Sequence, residues 1–279
     1  MILTGAMMVL EIAAGSVFNS MALLADGWHM GTHMAAFLIA AVAYYMTRKH
    51  RSNPRFSFGT GKIGVLGGFA SSILLLVVAA LMIYESAHRL LSPSPIRFRE
   101  ALLVAVLGLL VNLVSAFILR GAPEEAHHHG HGHGRDHDKN LKAAYLHVIA
   151  DAFTSVTAIT ALVLGLLFGI SWIDAAMGFL GGGVIVAWAI GMIRDTVAVL
   201  VDYFPEDSDL EDEIRLAFGR LGDVKIVDLH LWQVASGKFA AIISIETASP
   251  RPVEEYHGLV AMHEELVHVT VQILRPEAL

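Results

Sequence analysis

Asp26-Gly27-Trp28-His29-Met30-Gly31-Thr32-His33 is ionisable sequence embedded in an apolar run that extends over about residues 23–45. A run of that length can cross the roughly 30 Å of a bilayer's hydrocarbon as one helix. His29 and His33 are four residues apart, so their imidazoles project from nearly the same helix face, about 40° apart at 3.6 residues per turn. Hydrocarbon does not accept such groups without compensation, and an ionisable residue inside a span marks a candidate functional site. A second pair at the same spacing, His147 and Asp151, lies in another apolar run. Together the pairs offer three nitrogens and a carboxylate, a set sufficient for one divalent metal ion.

Working outward, apolar runs recur over residues 1–18, 63–84, 101–119, 143–168 and 172–193. The chain has 279 residues, 55% of them hydrophobic and 16% charged, with a mean hydropathy of +0.60. The expected architecture over 1–203 is an all-α membrane bundle of six transmembrane helices. The net charge of −7 is spread over loops and tail. No basic stripe with interleaved aromatics points to nucleic acid. The absence of cysteine excludes disulfides and thiolate metal sites.

Two segments differ from the spans. Residues 122–140 form a polar insert holding His127, His128, His129, His131, His133 and His137. It cannot bury a core, and it reads as a disordered loop that collects metal. From residue 204 the composition becomes that of a water-soluble domain. Periodicity predicts a helix over 210–221, strands over 224–234 and 239–246 joined at Ser236-Gly237, a helix over 252–266 and a strand over 267–274. This order implies a small α+β unit over 204–279 with both helices on one sheet face. The spacing puts His257 and His263 on the second of those helices. Trp172 and Trp188 read as interface anchors at the ends of the sixth span.

Basic residues suggest the orientation. Five Lys or Arg lie from Arg48 to Lys62, and Arg120, Arg135, Lys139 and Lys142 lie in or beside the His-rich insert. With six spans, both termini and the tail then face the cytoplasm. Arg89, Arg97 and Arg99 run against this assignment.

The chemistry of the quartet is that of a cation exchanger. Imidazole nitrogen and carboxylate oxygen suit cobalt, nickel and zinc. Binding needs neutral imidazole and ionised carboxylate, so metal entry means proton exit. The metal is cargo, and no resident cofactor is expected. Asp26, three residues before His29, either orients an imidazole or caps the start of the helix. Glu11, Asn19 and Glu85 are weaker candidates, and Asn112 reads as a contact between helices. The rival from another class is a membrane di-iron desaturase or hydroxylase, which needs several clustered histidine boxes. Only His29, His33 and His147 lie within the spans, so no enzyme is expected. A passive metal channel or sensor is the third class.

The residues resemble the cation diffusion facilitators, a family of proton-coupled divalent metal exporters that work as homodimers. Ser20-Met21-Ala22-Leu23-Leu24-Ala25-Asp26-Gly27-Trp28-His29 is similar to the family's second-span signature. Phe56-Ser57-Phe58-Gly59-Thr60-Gly61-Lys62 is similar to its next cytoplasmic loop, and His147-Val148-Ile149-Ala150-Asp151 to its fifth-span ligand pair. The resemblance implies that His29, His33, His147 and Asp151 bind the ion. It also implies that the tail is a ferredoxin-like cytoplasmic domain that joins the dimer, in a bacterial inner membrane. One departure matters for cargo: His33 stands where the zinc-type pattern has Asp, which resembles the cobalt/nickel branch, with zinc as the alternative. Phe56 and Thr60 occupy positions where some members bind metal, and neither is a usable ligand. The tail histidines His230, His257, His263 and His268 match the family's cytoplasmic metal cluster poorly.

Overall fold

The computed structural model describes residues 2–121, 152, 154–204 and 209–275, with backbone alone for residue 2 and residues 115–121. Helix α1 covers Ile2–Phe18, α2 Met21–Lys49, α3 Gly61–Leu91 and α4 Phe98–Gly121. Helix α5 is described over Thr154–Phe168, and α6 covers Trp172–Leu200. Among the described residues, α2, α3 and α6 are long and apolar enough to cross a membrane, and α1 and α5 are shorter apolar helices. Their outer surfaces carry exposed Val77, Leu81, Leu103, Leu107, Leu167 and Phe168. An apolar surface of this kind suits lipid rather than water.

Local chemistry sets the start of α2. Asn19 turns the chain with φ 57°, a left-handed conformation that Asn tolerates better than most residues. The Leu23 amide donates to Ser20 Oγ at 3.2 Å, an N-cap bond. The Asp174 carboxylate, from the first turn of α6, accepts from the Met21 and Ala22 amides at 2.6 and 3.1 Å and from Ser20 Oγ at 2.8 Å. The carboxyl oxygens there satisfy amides that no helix turn can reach.

The chain divides into two compact units, residues 1–37 with 73–190, and residues 38–72 with 191–279. In the first, α2 is the central element. Ala22 and Leu23 pack with Ala14 of α1, Ala101 and Ala105 of α4, and Ala158, Ala161 and Leu162 of α5. Ala25 packs with Ala79 and Met82 of α3 and Ile185 of α6. Small side chains let helix backbones approach closely where lipid supplies no hydrophobic drive.

The second unit holds helix α7 (Asp209–Gly219), strands β1 (Val224–Ala235) and β2 (Lys238–Thr247), helix α8 (Val253–Val260) and strand β3 (Leu266–Leu274). The sheet order is β1-β2-β3, with β1 and β2 antiparallel and β2 and β3 parallel. Alternate β2 residues Ala241, Ile243 and Ile245 form one core with Leu210, Ile214 and Phe218 of α7 and Tyr256 and Val260 of α8. Both helices therefore cover one sheet face. The loop after α2 packs against this sheet. Phe58 meets Trp232 and His268 edge-on, with ring centroids 5.4 and 5.5 Å apart. Gly61 lies so close to Val234 and Ala235 that a side chain there would collide. Lys62 pairs with Asp202, just beyond α6.

The helix expected over 252–266 is shorter, ending at Val260. Gly258 weakens its last turn. The chain must also reverse so that Leu266 can pair with Phe239, and it does so through turns closed by His263 N to Val260 O and Leu266 N to His263 O. His263 therefore lies beyond the helix, with Nδ1 3.5 Å from Glu213 and 3.3 Å from Glu265. The sixth span, expected over 172–193, is part of a longer helix. Helix α6 runs on to Leu200, which leaves Trp188 in its interior.

Candidate functional site

Helix α2 brings its two histidines together as their spacing requires. His33 Nε2 lies 3.2 Å from His29 Nε2. The rings meet edge to face, with centroids 4.7 Å apart and planes at 89°. His29 is buried and His33 half-buried. The buried Thr32 hydroxyl donates to the His29 carbonyl at 2.6 Å, which ties up a carbonyl of this turn. The Trp188 ring of α6 is tilted against His29 at 6.3 Å.

The 3.2 Å separation has a chemical meaning. Two nitrogens each about 2.0–2.1 Å from one tetrahedral ion lie about 3.3 Å apart. The imidazoles therefore stand near the edge length of a metal tetrahedron. Without an ion, the same separation suits one hydrogen bond between the rings.

Asp26 is five residues into α2, so it does not cap the helix. Its carboxylate is buried and accepts from Ser155 Oγ at 2.7 Å and Thr154 Oγ1 at 3.3 Å, both on α5. These hydroxyls tie α2 to α5 one turn from His29. Beside them is a cavity of about 120 Å³ between α2, α5 and α6, whose walls include Asp26, His29, Thr154, Thr157, Met177 and Trp188. Its predominantly apolar wall leaves the polar groups to determine what binds. Asn112 of α4 reaches Met30 of α2, with Nδ2 4.0 Å from the sulfur.

His147, Asp151 and the loop histidines His127, His128, His129, His131, His133 and His137 lie outside the described residues. Among the described residues, no group of three or more His, Asp or Glu is arranged to hold a metal ion. The tail histidines are dispersed. His230 pairs with Asp228 at 3.0 Å, while His268 contacts Phe58 and Thr270. Phe56 packs near the ring of His50, and Thr60 Oγ1 donates to the Thr47 carbonyl.

Sequence reasoning missed Thr154, Ser155, Trp188 and Asp174. Thr154 and Ser155 follow Asp151 by three and four residues in sequence, but hydroxyls are common in apolar runs and this spacing alone does not single them out. Nothing local in the sequence distinguishes Trp188 from a lipid-facing aromatic, or Asp174 from an ordinary acid in the first turn of its own helix.

Residues 1–201 match the family described as the cation efflux transmembrane domain. The chain is 28% identical over 272 residues to the cadmium, cobalt and zinc/H(+)-K(+) antiporter of Bacillus subtilis, covering 95% of this chain and 84% of that protein. It is 29% identical over 275 residues to the metal cation efflux system protein CzcD of Cupriavidus metallidurans, covering 97% and 83%. It is 28% identical over 275 residues to the zinc transporter ZitB of Escherichia coli, covering 97% and 84%. These relatives are transporters, not enzymes, which removes the desaturase alternative. The chain belongs to the cation efflux family, the cation diffusion facilitators, and is a membrane metal-cation transporter.

Proposed function

We propose that this protein exports divalent transition-metal ions from the cytoplasm in exchange for protons, with His29, His33, His147 and Asp151 as the ion's ligands. The observation that carries the reading is the pair of imidazole nitrogens 3.2 Å apart on a membrane helix. Buried Asp26, held by two hydroxyls of α5, supports α2 and α5 as partners in the site. His147 and Asp151 precede Thr154 by seven and three residues in the same apolar run. Neutral imidazoles bind either a proton or the metal, and this competition couples the two fluxes. In this reading α2 and α5 shift against the other helices to change which side reaches the ion.

We propose the architecture on the same grounds. Residues 1–203 form six spans, and residues 204–279 form a ferredoxin-like cytoplasmic domain that joins two copies in a bacterial inner membrane. The described α-β-β-α-β order and the basic residues after α2 support this. The histidines of 122–140 collect metal beside the entrance.

For cargo, His33 in place of the acid favours Co²⁺ and Ni²⁺. A second reading, zinc preference, has its own support: one relative is named a zinc transporter, and another carries cadmium, cobalt and zinc in its name. Uptake of Co²⁺, Ni²⁺ and Zn²⁺ into inverted membrane vesicles, with and without a pH gradient, tests both. The expected result is gradient-driven uptake, with H33D moving preference toward Zn²⁺. Uptake that is indifferent to the gradient would reject exchange. An unaltered ion profile in H33D would reject His33 as the source of selectivity.

A further inference from the structure

Glu11 is the only ionisable residue of α1 among the described residues, and it is completely buried. Neither carboxylate oxygen has a hydrogen-bond partner among the described residues. Two glycines accommodate it. Gly27 of α2 leaves its Cα bare against Glu11 and Ile12, where an added Cβ would stand 3.1 Å from Glu11 Cβ. Gly108 of α4 leaves the space that the carboxylate fills, since a Cβ there would collide with Oε1. Among the described residues, Glu11 of α1 is thus met by bare backbone of α2 and α4 and by no donor.

An ionised carboxylate in such a place is strongly disfavoured, because neither solvent nor a partner compensates its charge. The neutral acid is tolerated. A proton suits the site better than an alkali ion, which would need several oxygen ligands where the walls supply glycine Cα atoms. Asp26 of α2 is the ionisable residue whose charge acts on Glu11. Helix α4 carries no ionisable residue between Glu100 and Arg120. Gly27, which meets Glu11, lies two residues before His29 on α2, so an ion held there would be an electrostatic neighbour of Glu11.

We propose that Glu11 is a proton-binding group of the transport cycle, separate from the metal ligands, that loses its proton when a divalent ion loads and regains it when the ion leaves. The O–H bond breaks, the proton passes to water, and the carboxylate charge is offset by the arriving cation. This inference rests on the exchange reading above.

The test compares full-length wild type with E11Q, which keeps the shape of the neutral acid. One measurement is protons released per Zn²⁺ bound; the other is steady-state metal accumulation in proteoliposomes. E11Q is expected to bind Zn²⁺ and release one proton fewer per ion. At a pH gradient of one unit its accumulation should fall about tenfold, the factor that one coupled proton contributes per pH unit. An E11Q stoichiometry and accumulation equal to wild type would overturn the inference. Absence of proton release from wild type as well would instead overturn the exchange reading.

Should E11Q fail to fold, E11D carries the test by infrared difference spectroscopy with ¹³C-glutamate or ¹³C-aspartate labelling. Zn²⁺ should bleach a protonated-carboxyl band that belongs to glutamate in wild type and to aspartate in E11D. A wild type without a glutamic-acid band, or a band left in the glutamate label of E11D, would overturn it.

Discussion

The two units of this protein are held together by opposite kinds of core. Around α2 the buried cluster is mostly alanine: Ala14, Ala22, Ala101, Ala105, Ala158 and Ala161. In the sheet domain it is Ile214, Phe218, Ile243, Ile245 and Tyr256. Water drives the second by rewarding burial of large apolar surface. Lipid gives no such reward, so the helices gain by approaching closely over small residues while their large side chains face outward. The consequence for function is spatial. An alanine-lined helix interface leaves room for a few ionisable groups, and Glu11, Asp26, His29 and Asp174 are all buried within this unit.

This contrast can be broken by substitution. The largest effect is expected for Ile243→Ala, a truncation in the sheet core costing about 2–5 kcal/mol. Hydrogen exchange should then rise across α7 to β3 while the helices around α2 keep their protection. Exchange unchanged in the sheet would contradict the assignment of its core. His29→Ala should weaken metal binding by on the order of 100-fold or more, since even the groups that orient ligands are worth about 10–100-fold. Titration with Zn²⁺ and vesicle uptake both report it.

In the alanine cluster the sensitive direction reverses, and enlargement becomes the damaging change. Ala105→Leu should cost about 1–3 kcal/mol through overpacking, read as a lower unfolding midpoint in detergent. Tolerance of leucine there would mean that the close approach of the helices is not needed. Ser155→Ala removes a donor from the Asp26 carboxylate and should lower metal affinity by about 10-fold, with insertion into the membrane unchanged. The smallest effect is expected for Leu81→Ala on the exposed face of α3, within about 0.5 kcal/mol.

What could be read from the sequence follows the same division. The positions of the helices were legible because apolar runs and strand alternation are strong periodic signals, and the hairpin at Ser236-Gly237 stands where alternation placed it. Helix ends were less legible. Helices α2, α3 and α6 have 29, 31 and 29 residues, whereas at about 1.5 Å per residue some 20 cross the hydrocarbon. Their polar continuations leave no hydropathy signal. Helix α8 was overextended because the pairing of Phe239 with Leu266, a tertiary constraint, decides where the chain must turn. In the candidate site, His29 and His33 stood out because imidazoles are rare in apolar sequence. The Asp26 partners did not, because hydroxyls are common in membrane helices and only tertiary packing selects Thr154 and Ser155.

The central claim is that His29 and His33 hold the transported ion. X-ray absorption at the zinc edge tests it directly, using full-length protein whose loop histidines His127, His128, His129, His131, His133 and His137 are replaced by Ser so that only one site remains. The account predicts imidazole nitrogens at about 2.0–2.1 Å in this protein, and loss of the bound ion or of two imidazoles when His29 and His33 become Ala. An identical zinc spectrum and stoichiometry in that double variant would contradict it.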